Sequence, residues 1–512
     1  MMLGFAGWYD VLFVLEVLLV LGILVLQVYT AVHIAIYKRD SRAAVAWLVS
    51  AWFLPVLGSV LYFWFGVNRL ERKARKLRAH SHHPRYNLPI VANEILPENL
   101  SEQYNDLIGI AKAIGSISGF PLVGGNHFEP LDRQSAYPEM LKAISGAKNS
   151  ITLLTYLFDD DPTGETFAEA LSEAVKRGVE VRVLVDDVGS KYSRPTIFAR
   201  LQRLGIPHAP FLPKFLPIPL AYSQLRNHRK ILVIDGMVGF TGGMNIRHNQ
   251  ANNAEVAHPV NDLHFRVTGP IVSQLQTTFS EDWWFTTEEF LEGEKWYPTD
   301  MPLAGSSTAR GIPDGPDEDL DNLRLTILSA ITSARHSLKI VTPYFLPDHD
   351  ITTALKLAAL RGVTVDIVLP AKSNLLLVQW ATTPFWIPLL QRGCRIWLSP
   401  PPFDHTKLLL VDGHWCMFGS SNWDPRSLRL NFEFNIECYD AVLTYKLERI
   451  VDEKIRSARR ATIEELNARP FALRLRDGFA RLFSPFLSAP PNRLRYSGPH
   501  RIVRVEVSSK RS

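Results

Sequence analysis

Residues 228–245, HRKILVIDGMVGFTGGMN, and residues 405–422, HTKLLLVDGHWCMFGSSN, decide how this chain is read. In each, a histidine and a lysine stand two apart, four apolar residues follow, and Asp-Gly closes the run. The apolar runs, 231–234 and 408–411, read as buried strands. Side chains two apart on a strand share a face, so His228 and Lys230 point one way, as do His405 and Lys407. Asp235-Gly236 and Asp412-Gly413 have the composition of hairpin turns. The returning strands end in small residues and an asparagine, Asn245 and Asn422. Small residues there let an amide or a backbone N–H approach an oxyanion closely.

Working outward, two further pairs of segments match. AISGAKNSITLLTYLFDDD (143–161) resembles AITSARHSLKIVTPYFLPD (330–348), a helix end followed by an apolar strand. AEALSEAVKRGVEVRVLVDD (168–187) resembles TALKLAALRGVTVDIVLP (353–370), a helix, an Arg-Gly-Val turn and a β-branched strand. All three pairs fall in the same order at nearly constant separation. The body therefore reads as two homologous α/β halves with mixed sheets, 121–285 and 326–465. Residues 286–325 read as an exposed inter-half linker, on its Gly, Ser and Pro content and the acidic residues Asp314, Asp317, Glu318, Asp319 and Asp321. Residues 79–120 read as a linker and lead-in, with Pro84, Pro89 and Pro97 breaking a polar run. Three histidines there, His80, His82 and His83, have no further ligand nearby and read as solvated linker, so no metal site is expected.

The first 78 residues read as a membrane anchor with two transmembrane helices, about 11–36 and 43–67, and a basic juxtamembrane segment. Twenty-five helical residues reach ~37 Å, enough for a ~30 Å hydrocarbon core. Pro55 and Gly58 are candidate kinks in the second. Two spans would leave both ends on one side. The six bases of 69–78 against three in the connecting loop favour a cytoplasmic body. The apolar run lacks a basic lead-in and is followed at once by a second, which is unlike a cleaved signal peptide.

Charge supports a membrane partner. Of 512 residues, 46% are hydrophobic, and the formal net charge is +5. Residues 69–78 carry +5 and residues 471–512 carry +7, which leaves 79–470 at −7. A nucleic-acid binder usually carries its positive charge on its working domain. Basic ends around an acidic body point instead to anionic lipid. Three cysteines make neither a disulfide scaffold nor a zinc finger. The stretch FALRLRDGFARLFSPFL (471–487) reads as a basic amphipathic segment lying on the membrane or docking on the body, and 466–512 is taken as one segment and tail. Two apolar, Pro-interrupted segments, 206–220 and 374–390, precede the two motifs and are candidates for an apolar entrance.

Two His-Lys pairs meeting between related halves suit one phosphodiester. Lysines neutralise its non-bridging oxygens. One imidazole attacks phosphorus and the other protonates the leaving oxygen. A nucleophilic histidine needs its second nitrogen tied to a carboxylate, and Asp262 and Glu433 are the candidates. No acidic cluster for magnesium accompanies the motifs, so no cofactor is expected.

His-x-Lys-x4-Asp twice over is the signature of the phospholipase D superfamily, and HRKILVID and HTKLLLVD both match it in full. The chain resembles the bacterial cardiolipin synthases more closely still, in DDVGS (186–190), RNHRKILVIDG, FTGGMN, RVTGP (266–270), EDWW (281–284), TPYFLPD (342–348), DPRSLRLNFE (424–433) and the opening apolar segment. The resemblance implies two phospholipase D-like halves packed as a pseudo-dimer. It implies transfer of a phosphatidyl group between two phosphatidylglycerols through a phosphatidyl-histidine. It makes His228 the nucleophile and His405 the acid/base, although the near-symmetric motifs do not order them. Lys230 and Lys407 inherit the phosphate, Asp235 and Asp412 a supporting place in the catalytic set, and Asn245 and Asn422 phosphate contacts. It implies a multi-pass protein of the bacterial inner membrane. Phosphatidylglycerol and anionic lipids are the expected partners, not nucleic acid. Competing expectations are a phospholipase D that hydrolyses or uses another alcohol, a superfamily nuclease, and a non-catalytic scaffold. The lead-in Pro400-Pro401-Pro402-Phe403-Asp404 and the stretch Thr382–Trp386 depart from the family pattern. Asp404 beside His405 either shifts its pKa or faces away.

Overall fold

The computed structural model describes residues 3–38, 41–66, 93–213, 225–251, 258–316 and 319–482. The basic segment 69–78, most of the lead-in before residue 93, part of the 206–220 segment, Asp317, Glu318 and the tail beyond 482 lie outside the described residues.

One helix among the described residues is long and apolar enough to cross a membrane. It runs from Leu3 to Tyr37, with Leu12–Tyr37 as the candidate span. Those 26 residues reach ~39 Å. The expected second span is not a single helix. A helix over Ser41–Phe53 stops before Pro55, a second starts at Leu57, and a π-helical turn covers Tyr62–Gly66. Proline has no N–H to continue the ladder and biases the residue before it away from helix. The chain then doubles back, bringing Gly58 so close to Ser50 that a Cβ there would collide with the Ser50 carbonyl. The Trp47 and Tyr62 rings, fifteen positions apart, meet at 5.7 Å. Thirteen helical residues reach only ~20 Å, too short to span. The hairpin leans on the first helix through Gln27, whose amide donates to the Ala51 (3.1 Å) and Trp52 (3.2 Å) carbonyls, and through His33–Tyr62 (2.8 Å).

The body is a mixed α/β fold whose strand order, apart from a two-residue edge strand Arg459–Arg460 beside Arg395–Ser399, reads alike from both ends. Among the described residues, the first half orders its strands His208–Phe211, Glu180–Asp186, Ser150–Thr155, Ile231–Ile234, Val238–Gly242, His264–Thr268 and Val123–Leu131. The second orders Arg395–Ser399, Thr364–Pro370, Ser337–Val341, Leu408–Val411, Trp415–Gly419, Asn431–Tyr439 and Ser307–Asp314. The first three of each run parallel and the rest antiparallel. Val123–Leu131 and Ser307–Asp314 pair antiparallel and join the halves.

This corrects the reading of 286–325 as an exposed linker. Its Ser307–Asp314 segment is a buried strand at the centre of the sheet. STARGIPD is polar enough to read as loop, but its polar groups are answered inside. Arg310 pairs with Glu437, and the Asp314 carboxylate accepts the Leu323 N–H at 3.0 Å. The lead-in is also structured from residue 93, with a helix over Ile108–Ser118 that joins the second half's outer core.

Each half covers one sheet face with helices, Ala136–Gly146 and Pro162–Lys176 in the first, Asn322–Ser333 and His349–Leu360 in the second. The other faces share one core, which also takes in Val272–Thr287 and Ala441–Ser457. Phe265 of one half stacks on Phe418 of the other at 3.8 Å. Side chains interlocked this way hold the motif strands of the two halves against each other, as a packed core does.

Candidate active site

Both histidines hang from the opposite half. Arg226–Asn227 pairs parallel with Asn431–Phe432, and the His228 N–H donates to the Phe432 carbonyl at 2.8 Å. Reciprocally, Phe403–Asp404 pairs parallel with Val260–Asn261, and the His405 N–H donates to the Asn261 carbonyl at 2.7 Å. The side chains cross in the same sense. His228 Nδ1 lies 3.0 Å from Glu433 Oε2, and His405 Nδ1 lies 2.7 Å from Asp262 Oδ2. A carboxylate on Nδ1 fixes that nitrogen as the N–H and leaves Nε2 with its lone pair. Lys407 Nζ also comes within 2.9 Å of His405 Nδ1. One nitrogen cannot donate to Asp262 and accept from Lys407 at once, and the shorter, charge-assisted carboxylate contact is the better bond.

The two carboxylates are supported differently. Glu433 accepts from the Ser420 hydroxyl and from Asn431 Nδ2 (2.9 Å) as well as from His228. Burial works to raise its pKa, but His228 and Lys230 hold it down to about 2. Asp262 accepts from Gln250 Nε2 (3.2 Å) and the Leu263 N–H (2.9 Å). Where the second half has Ser420, the first has Gly243, and a Cβ there would strike the Asp262 carboxylate.

All four motif bases are buried, at 8% exposure or less for His228, Lys230 and Lys407 and 9% for His405. Burial lowers His228 to about 4, and burial followed by the Lys407 charge lowers His405. Burial, against the attraction of the carboxylates, leaves Lys230 at about 7 and Lys407 at about 8. Each histidine is also depressed by the lysine of the other motif, so both motifs act on one electrostatic site.

Asp235 and Asp412 are not brought to the histidines. Each lies at the far end of its strand, five residues or ~17 Å beyond the lysine. Both sit at positive φ, 52° and 51°. Asp235 accepts the backbone N–H groups of Lys148 (3.0 Å), Asn149 (2.6 Å) and Ser150 (2.9 Å). Asp412 accepts those of Arg335 (2.8 Å), His336 (2.8 Å) and Ser337 (2.7 Å). They tie each hairpin to the start of the neighbouring strand. Asp235→Ala is expected to cost about 2 kcal/mol of stability, as for a lost charge-assisted hydrogen-bond set. Thermal unfolding of the purified variant checks this, with kcat per folded molecule holding.

Asn245 is buried with its Oδ1 on the Leu157 N–H (3.2 Å), whereas the buried Oδ1 of Asn422 has no hydrogen-bond partner among the described residues. Asp404 faces away from His405, onto Lys454 Nζ (2.5 Å) and the Thr406 N–H (3.1 Å).

Four residues near the site were not singled out from sequence. The Tyr156 ring lies 5.1 Å from the His228 ring, with Lys230 Nζ 5.6 Å from its centroid. His264, 1% exposed, is lowered to about 4 by burial. Arg226 and Arg426, 5% and 7% exposed, meet at Asn431, Arg226 by strand register and Arg426 through Nε to Asn431 Oδ1 (3.3 Å). RNHRK and DPRSLRLNFE contain both arginines, but no spacing announces that they converge.

The family model described as cardiolipin synthase, PLD-like domain, matches residues 140–283 and 327–455. One described as phospholipase D-nuclease N-terminal matches residues 25–66. The chain is 32% identical over 469 residues to the major cardiolipin synthase ClsA of Bacillus subtilis (strain 168), covering 88% of this chain and 95% of that protein. It is 31% identical over 466 residues to a cardiolipin synthase of Geobacillus kaustophilus (strain HTA426), covering 90% and 92%. Among solved structures, phosphatidylserine synthase of Haemophilus influenzae Rd KW20 superposes with a TM-score of 0.58 at 14% identity, over 73% of this chain and 99% of that one, a likeness of fold.

Proposed function

The chain belongs to the bacterial cardiolipin synthases of the phospholipase D superfamily and is a phosphatidyltransferase; from that premise we propose how its residues carry the transfer. The donor phosphatidylglycerol lays its phosphodiester between Lys230 and Lys407. His228 Nε2 attacks phosphorus, the bond to glycerol oxygen breaks, and His405 gives the departing glycerol its proton. His405 then takes a proton from a hydroxyl of a second phosphatidylglycerol. That oxygen attacks phosphorus, the phosphorus–nitrogen bond breaks, and cardiolipin leaves. The single observation that carries this reading is the crossed pairing of His228 with Glu433 and His405 with Asp262. His228 is assigned the attack because its carboxylate, held by Ser420 and Asn431 as well, is fixed to steady the cation formed on the ring. His405 must be charged in the first step, and the bound phosphodiester anion raises its pKa toward that state.

The acceptor lipid brings a second phosphate, which we assign to Arg226 and Arg426. Both arise from opposite halves and are buried beside the His228 carboxylate network. Asn245 and Asn422 complete the phosphate contacts. The matching strand order supports a pseudo-dimer of two duplicated halves. At the N-terminus, we assign one crossing to Leu12–Tyr37 and a re-entrant hairpin to 41–66. The body then lies on the side of Lys38, Arg39, Arg42 and the bases of 69–78, the cytoplasmic face of the inner membrane.

Purified protein in phosphatidylglycerol vesicles, without nucleotide or metal, tests the reading. Cardiolipin and free glycerol are expected, and phosphatidic acid as sole product would overturn it in favour of hydrolysis. The pH profile follows from His405 and the lysines. In the free enzyme His405, lowered from 6.5, sheds its proton first, and each lysine follows as pH rises through its lowered pKa, about 7 for Lys230 and about 8 for Lys407, so kcat/KM already declines below neutrality and falls further above it. A bound phosphate anion favours the charged lysine, so the alkaline limb of kcat lies at higher pH. His228, lowered to about 4, keeps its attacking nitrogen free through the neutral range.

A further inference from the structure

The helix Phe471–Leu482 docks on the body with the wrong face for a soluble helix. Its buried residues are Asp477 and Ala480. Its apolar side chains point out, with Phe471 75%, Phe479 56% and Leu482 66% exposed. Leu475, on the same helical face by its spacing, is also exposed. Its contact with the body is a single small side chain, Ala480, among Leu346, Val378 and Ala381, and beside it a polar cluster. The Asp477 carboxylate, 2% exposed, is paired with Arg469 (2.6 Å) and Arg476 (2.7 Å), and the Arg476 guanidinium lies 4.3 Å from the Trp380 ring centroid. Trp380 belongs to the neighbouring helix Leu376–Thr382, which turns Leu376 and Leu377 outward beside Leu375. Two adjacent elements thus present leucine and phenylalanine to the outside, and the same helix exposes Arg474 and Arg481.

We propose that this face is a second membrane-contact surface, which seats the mouth of the active site in the anionic leaflet that the N-terminal helix crosses. It rests on the reading above, that the substrates are bilayer lipids. Three observations choose a lipid surface over a second copy of the chain. A patch that carries the exposed Arg474 and Arg481 repels its own image across a two-fold axis but is attracted by anionic headgroups. The chain already carries a membrane helix. The patch is also continuous with the catalytic wall. Asn374, next to Leu375, accepts from the Tyr344 hydroxyl (2.8 Å), and the Tyr344 ring lies 6.3 Å from that of His405. With the patch immersed, lipid reaches His405 from the acyl layer and water is kept out, which favours a lipid alcohol over hydrolysis.

The test uses the full chain in phosphatidylglycerol–phosphatidylethanolamine vesicles, with bimane attached at Phe479→Cys or, as a control, at exposed Glu169→Cys. The native cysteines Cys394, Cys416 and Cys438 are buried and escape labelling. The expected result is a blue-shifted emission at 479, quenched by lipids spin-labelled on the acyl chain, with no quenching at 169. An unshifted label at 479 overturns the proposal. So does a shifted label that lipid does not quench, which would mark a second copy. In parallel, Leu475→Ser with Phe479→Ser is expected to raise KM about tenfold on vesicles and to leave turnover of detergent-dispersed short-chain phosphatidylglycerol intact. Equal losses on both substrates overturn it. The fluorescence readout needs no activity, so this surface and the transfer mechanism can fail separately.

Discussion

His228→Ala is expected to abolish cardiolipin formation, a fall of about 10⁴-fold or more, and His405→Ala to do the same. Turnover alone therefore does not separate their roles, but the leaving group does. Glycerol is a poor leaving group and needs the proton His405 supplies. A phosphatidyl ester of p-nitrophenol departs as the anion and does not. On that substrate His405→Ala is expected to release a burst of one nitrophenol per site and then stop. The phosphatidyl group stays on His228, since nothing remains to activate the acceptor. His228→Ala gives no burst. Rapid-quench absorbance, with mass spectrometry of the peptide carrying residue 228, checks both halves of the statement. A burst from His228→Ala and none from His405→Ala would reverse the assignment and leave the crossed geometry intact.

The duplicated motif was legible because its periodicity is local. A histidine and a lysine two apart, four β-branched or leucine residues and a turn form one strand and one hairpin, whatever the rest of the chain does. The mixed α/β body followed from repeats of the same kind. The polar strand Ser307–Asp314 was not legible. Its Arg310 and Asp314 have partners more than one hundred residues away or across a helix start, and composition alone assigns such a stretch to loop. The second apolar stretch was long enough to span, and only the Pro55–Gly58 reversal, a backbone event, makes it a hairpin. Asp262 and Glu433 could be named as carboxylates near the motifs, but which histidine each serves depends on how the halves meet. Arg226 and Arg426 escaped for the same reason, since their meeting point at Asn431 is set by pairing between halves.

That crossing carries the second large effect. Glu433→Gln is expected to lower kcat about 10²–10⁴-fold, although residue 433 lies in the half opposite the histidine it serves. The change is nearly isosteric, and Ser420 and Asn431 can still bond the amide, so the fold should persist. The chemistry should not. A glutamine N–H turned toward His228 favours the tautomer with hydrogen on Nε2, and the lone pair that attacks phosphorus is lost. The same substitution removes the charge that steadies the ring cation. It also removes the negative charge that most supports Lys230, so burial depresses that lysine further and KM for phosphatidylglycerol rises as well. Asp262→Asn acts on His405 in the same manner. On the nitrophenyl ester it should behave like His405→Ala and keep the burst, while Glu433→Gln should lose it. A double-mutant cycle gives the sharper measurement. His228→Ala with Glu433→Gln should show no lower kcat than His228→Ala alone, because what the carboxylate does for the attack acts through the ring already removed, and only KM should rise further. Asp262→Asn with His405→Ala should likewise show no lower kcat than His405→Ala alone. If instead Glu433 couples to His405 and Asp262 to His228, each half serves its own histidine and the exchange of supporting carboxylates between halves is wrong.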